Sequence, residues 1–92
     1  MNKVLFPKKD YVKELVRIFK LSKNSQKLVK TLSKYHEKDI AEAITLLTPA
    51  ERQHIYNVLD EHMIAEIFSY LDDTEKYLEE LSLEKAARVV SY

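Results

Sequence analysis

IAEAITLL at residues 40–47 and IAEIFSYL at residues 64–71 open on the same Ile-Ala-Glu phrase, 24 residues apart. Both end on a leucine followed at once by a residue suited to cap a helix, Leu47-Thr48 and Leu71-Asp72. Leu59-Asp60 repeats that ending between them, and Leu81-Ser82 repeats it once more. Counting back from each terminal leucine, the residues three and four before it are always apolar: Ile44 and Ala43, Tyr56 and Ile55, Phe68 and Ile67, Leu78 and Tyr77. That spacing puts one apolar stripe on each helix of about three turns. Helices so short are marginal alone, and each must bury its stripe on its neighbours. The recurrence therefore predicts an all-α fold, a right-handed superhelix of short stacked helices of the armadillo or HEAT kind, whose unit is a helix pair.

The flanks extend the pattern. Residues 1–9, with Pro7, read as a lead-in. From Asp10 an apolar stripe runs through Tyr11, Val12, Leu15, Val16, Ile18, Phe19 and Leu21, and Asn24 or Ser25 can cap a second helix carrying Leu28, Val29, Leu32 and Tyr35. Thr48-Pro49-Ala50-Glu51 combines an N-cap, a proline at the first helical position and a capping-box glutamate; Asp72-Asp73-Thr74-Glu75 has the same cap-to-Glu spacing. The predicted helices are 10–21, 25–35, 37–47, 49–59, 61–71, 73–81 and 83–92. Residues 1–92 make a single small domain. No polar helix closes the last repeat, so the array is expected to continue past Tyr92.

Composition excludes several function classes. With no glycine, the phosphate-cradling loops that need close backbone approach are absent, and so are the usual tight-hairpin residues. With no cysteine there is neither a disulfide framework nor a thiolate metal site. No apolar run approaches the length of a membrane span, so no direct span is expected in these residues. The zero net charge hides an asymmetry. Residues 1–34 hold ten Lys or Arg against Asp10 and Glu14, a net +8, while residues 35–92 hold five basic residues against thirteen acidic ones, a net −8. The simplest reading is two solvated faces of opposite bias that also attract each other.

The stretch from Leu32 to Leu71 resembles the intracellular N-terminal domain of MgtE-type magnesium channels. The family reads roughly H-x-x-D-[IL]-A-x-x-[IL]-x-x-L, then [STP]-P-x-E-R, then A-A-E-[IV]-[FL]-x-x-L. His36, Asp39, Ile40, Ala41, Ile44 and Leu47 fit the first part, Thr48, Pro49, Glu51 and Arg52 the second, and Ile64-Ala65-Glu66-Ile67-Phe68 the third. Glu37 stands where the family often has proline, and the helix from Asp73 to Leu81 is slightly shorter than the pattern. The resemblance implies a regulatory domain on the cytoplasmic side of the cell membrane, part of a homodimeric transporter. Its implied partners are a CBS pair and a transmembrane domain of the same protein. Mg²⁺ bound between the acidic helical surface and the CBS pair would favour a closed channel. Glu66, in the A-A-E position, is the implied metal ligand. Glu42 is its repeat equivalent, and its match is internal. A solvated glutamate on a wet helix face is the alternative reading of both.

Other residues point less sharply. Asp60-Glu61, Asp72-Asp73 and Glu79-Glu80 are acidic pairs that could hold hydrated Mg²⁺, but Asp60 and Asp72 read better as N-caps. His36, His54 and His62 lack metal-ligand spacing. Nothing resembles a nucleophile with its base, so no enzyme is expected. The aromatic residues fall mainly on apolar stripes, which favours core over base stacking, and no nucleic-acid partner is expected. A helical protein-interaction scaffold, such as a FliG-like flagellar motor-switch N-terminal domain, is the alternative to the channel reading.

Overall fold

The computed structural model describes residues 10–92, so the lead-in expected over residues 1–9 lies outside the described residues. Seven α-helices follow one another: α1 Asp10–Leu21, α2 Ser25–Leu32, α3 Glu37–Thr45, α4 Pro49–Val58, α5 Glu61–Phe68, α6 Thr74–Leu78 and α7 Leu83–Val90. No strand occurs among the described residues. Each expected helix is present, and from α2 onward each is shorter than expected.

The starts are fixed by side chains. Asn24 accepts a hydrogen bond from the Lys27 amide (2.9 Å), Asp60 from Met63 (2.8 Å) and Ser82 from Lys85 (3.1 Å). Thr48 and Glu51 close the expected capping box, at 3.2 Å and 2.9 Å. His36 caps α3, its Nδ1 accepting from the Lys38 amide at 3.0 Å. The Asp72 expectation is corrected. Asp73 occupies the cap position of α6, with φ −114° and ψ 67°, and makes no side-chain capping bond. Away from the usual extended cap backbone its carboxylate is not aimed at the next amides. The Thr74 hydroxyl instead donates to the carbonyl of Leu71 at 3.2 Å.

The ends explain the shortening. After α2, α3, α5 and α6 the chain tightens to bonds spanning three residues: Tyr35 to Leu32, Leu47 to Ile44, Leu71 to Phe68 and Leu81 to Leu78, all near 3.0–3.1 Å. Tight last turns satisfy carbonyls that a helix end leaves without partners. Hydroxyls help, since Ser33, Thr45, Ser69 and Ser91 each donate back to a carbonyl of the last turn at 2.6–2.8 Å. No described residue has positive φ, so this glycine-free chain turns its described corners without the left-handed conformation.

The packing is that of stacked pairs. Helix α1 lies against α3, α3 against α5 and α5 against α7, while α2 lies against α4. The odd helices thus form one layer and the even helices begin a second, in an elongated body of 51 × 28 × 21 Å. The reference positions of the repeat build its core. Ala43, Ile44, Ile55, Tyr56, Ile67 and Phe68 are each at most 2% exposed, and Leu47, Leu59 and Leu81 are buried beside them. Aromatic expectations hold for Phe19, Tyr56, Phe68 and Tyr77, which are buried. They fail for Tyr11, Tyr70 and Tyr92, at 52%, 48% and 70% exposed. Tyr70 and Tyr92 lie beyond the last helical residue of their segments, where the stripe no longer faces the core.

One charged group enters that core. Arg52 is 5% exposed and the only polar or charged residue buried among the described residues. Its Nε and Nη2 donate to the two carboxylate oxygens of Glu80 at 2.9 and 2.6 Å, and its Nη1 donates to the carbonyl of Leu47 at 2.5 Å. The guanidinium also lies 5.1 Å from the centre of the Tyr77 ring. Glu80 is further held by the Tyr56 hydroxyl (2.8 Å), and its carbonyl accepts from Gln53 (3.0 Å). One ion pair therefore joins the end of α3, the body of α4 and the turn after α6. The Arg52 bonds hold the Glu80 carboxyl below its ordinary range, and burial pushes the Tyr56 phenol up.

Removing one partner of a buried pair strands the other charge, at a cost of about 3–5 kcal/mol. Arg52→Met should therefore unfold at much lower denaturant, and urea melts followed by circular dichroism will show it; a shift no larger than that of an exposed lysine variant would contradict this. Because the folded carboxyl of Glu80 titrates low, its contribution is present above the ordinary carboxylate range, about pH 4. It is lost as pH falls through the depressed value. Glu80→Gln should flatten the loss of stability on acidification.

Candidate functional site

Glu42 and Glu66 occupy equivalent places on neighbouring helices. Each lies six residues after its N-cap, His36 on α3 and Asp60 on α5. Each has its backbone carbonyl bonded by the hydroxyl three residues on, Thr45 or Ser69. Their outer neighbours also correspond, Lys38 with His62 and Leu46 with Tyr70, and all of these residues are exposed. The repeat thus extends from the buried stripe to the wet face.

The surroundings of the two carboxylates differ. Glu42 lines a shallow groove with Lys38, Thr45, Tyr70 and Asp72. Asp72 can join it there, but Lys38 opposes a cation. Glu66 has His62 one helical turn before it on α5, and Tyr70 follows in the turn beyond the helix. Among the described residues no three His, Cys, Asp or Glu side chains gather as a metal cage. A divalent cation at Glu66 would have to take its other ligands from water or from another surface, a manner of binding that Mg²⁺ commonly adopts.

The three acidic pairs are taken apart by the fold. Asp60 caps α5 as expected, and its neighbour Glu61 meets Arg88 of α7 at 3.2 Å. Glu80 is consumed by Arg52, leaving Glu79 exposed. Asp72 and Asp73 are exposed in the turn before α6. The histidines lie on three separate elements. His36 packs edge-on to Tyr70 at 5.6 Å, His62 lies 5.0 Å from Tyr92, and His54 is exposed on α4. Each tyrosine past an odd helix therefore stacks on a histidine near the start of the preceding odd helix.

Sequence reasoning placed Arg52 only as a motif residue. A signal was present, because Arg52 lies three and four residues before Ile55 and Tyr56, on the buried stripe of α4. A charge on that stripe demands a partner. The partner, 28 residues away, could not be read.

Among the described residues, two polar side-chain contacts join the two charge-biased segments. Lys20 reaches Glu51 at 3.6 Å, and the Tyr35 hydroxyl donates to Glu14 at 2.5 Å. That bond to a carboxylate, with some burial, pushes the Tyr35 phenol up to about 12. With the folded value raised, the contribution is full below about pH 10 and lost as pH passes about 12. In an ultraviolet titration Tyr35 should ionise after the exposed tyrosines, and Glu14→Gln should bring it back among them; an unchanged titration curve would dismiss the bond.

The family model of the MgtE intracellular N domain matches residues 35–92, more than half of the chain. The match starts in the turn between α2 and α3, where the basic segment gives way to the acidic one. No curated protein and no solved structure matches the chain. Short helices in stacked pairs and the family match agree: the chain belongs to the MgtE intracellular N domain family, regulatory domains of magnesium transporters and not a catalytic family.

Proposed function

We propose that this domain senses intracellular Mg²⁺ through its acidic helical surface and, with Mg²⁺ bound, packs on a following CBS pair to favour closure of the transporter. The observation that supports this most directly is that residues 35–92, the part matching the family, are the net acidic part and expose Glu66 on a helix face open to a second domain. Glu66 supplies one carboxylate, water supplies others, and the opposing domain completes the shell. Binding only the packed arrangement, the ion shifts the balance toward it by the difference in affinity between the two arrangements. The protein works at the cytoplasmic side of the membrane as a homodimer, and Glu42 is an accessory carboxylate whose groove also holds Lys38.

Half a site binds weakly. Calorimetry of the 92-residue chain should show no tight, stoichiometric Mg²⁺ uptake, and such uptake would contradict a shared site. In the transporter carrying this domain, Glu66→Ala should raise the Mg²⁺ concentration needed for closure by about fivefold or more, the size of an ordinary coupling energy. Glu42→Ala should raise it less. An unchanged magnesium response in Glu66→Ala removes that residue from the site.

A further inference from the structure

Helices α1 and α2 precede the family match and carry a charge pattern of their own. Lys13, Arg17 and Lys20 recur at spacings of four and three, and Lys23, Lys27, Lys30 and Lys34 at four, three and four. On α1 such spacing lines the cations along one face, and on α2 it does so for Lys27 and Lys30, with Lys23 just before the helix and Lys34 just after it. All seven are exposed, and between Tyr11 and Lys34 the single acidic residue is Glu14. Two apolar features lie beside these cations. Leu21, at the tip between the helices, is 70% exposed and flanked by Lys20 and Lys23. Beside Lys30, a shallow and mainly apolar groove is floored by Val29 and Val58.

We propose that α1 and α2 form a docking surface for an anionic lipid bilayer. Six of the seven cations are lysines, flexible point charges without the planar fork that selects a single carboxylate. Spread over two helices, they suit a diffuse sheet of negative headgroups better than one acidic peptide. Lysine stems can lie along apolar surface while their ammonium groups reach the phosphates, and Leu21 enters the boundary between headgroups and acyl chains. Docking depends on the proposed attachment to a transporter, since that attachment brings a bilayer within reach. It would hold the domain against the membrane when the acidic face is released from its partner.

Co-sedimentation of the 92-residue chain with vesicles tests this without any transporter. The chain should partition onto phosphatidylcholine vesicles containing phosphatidylglycerol, and not onto phosphatidylcholine alone. Binding should fade with added salt, as screening shortens from about 10 Å at 0.1 M to about 3 Å at 1 M. Replacing Lys23, Lys27 and Lys30 together by Gln should lower partitioning about a hundredfold with unchanged helical circular dichroism. Leu21→Ser should lower it about tenfold and leave the salt dependence as it was, which separates insertion from pure charge attraction. Glu66→Ala should bind vesicles like the wild type, so that the membrane contact and the magnesium response fail independently. Equal partitioning onto neutral and anionic vesicles, or wild-type partitioning by the triple variant, overturns the proposal. So does tighter binding of polyglutamate or duplex DNA than of anionic vesicles, which would assign the surface to another class of partner.

Discussion

A guanidinium inside a stack of short helices constrains everything around it. Arg52 has traded water for the carboxylate of Glu80, the carbonyl of Leu47 and the face of Tyr77. These partners come from the end of one helix, the last turn of another and the turn beyond it. Apolar stripes can slide along one another at modest cost, whereas a forked pair with fixed bond directions cannot. The stripes supply most of the attraction between helices. The fixed directions of the Arg52 bonds suit a single arrangement of these elements, a use of buried charge known from some other proteins. Lys85 of α7 adds to the same knot by donating to the carbonyl of Tyr56.

Much of this fold could be read from local chemistry. Leu47, Leu59 and Leu81 end their segments in the core, and Thr48, Asp60 and Ser82 cap the next helices, because both signals act over three or four residues. Reading failed where geometry decided. Asp72 and Asp73 offer the same chemistry, yet Asp73 takes the cap position, and its backbone angles leave its carboxylate without a capping bond. The helix ends were drawn too long because the closing turns keep helical direction while changing their bonding from four residues to three. Glu79 and Glu80 look alike in sequence, yet one is exposed and the other is bound to a residue far along the chain.

The candidate site was legible to a different degree. Repetition correctly put Glu42 and Glu66 on equivalent outer faces, since the period that sets the buried stripe also sets its opposite side. Repetition could not tell them apart. Their difference arises from their neighbours: Lys38 on the same helix and Asp72 from the turn after α5 lie around Glu42, while His62 stands one turn before Glu66.

Corners turned without glycine or positive φ have a consequence for the unfolded chain. Glycine widens the range of conformations that an unfolded polypeptide explores, and every such position loses more freedom on folding. A chain with no glycine, whose described residues never visit positive φ, starts from a narrower ensemble. Short helices with little area to bury are then ordered against a smaller entropic opposition. The junctions before α4, α5 and α7, moreover, each consist of a leucine, a capping residue and ordinary backbone, so helices can be joined in this array without any special residue at the seam.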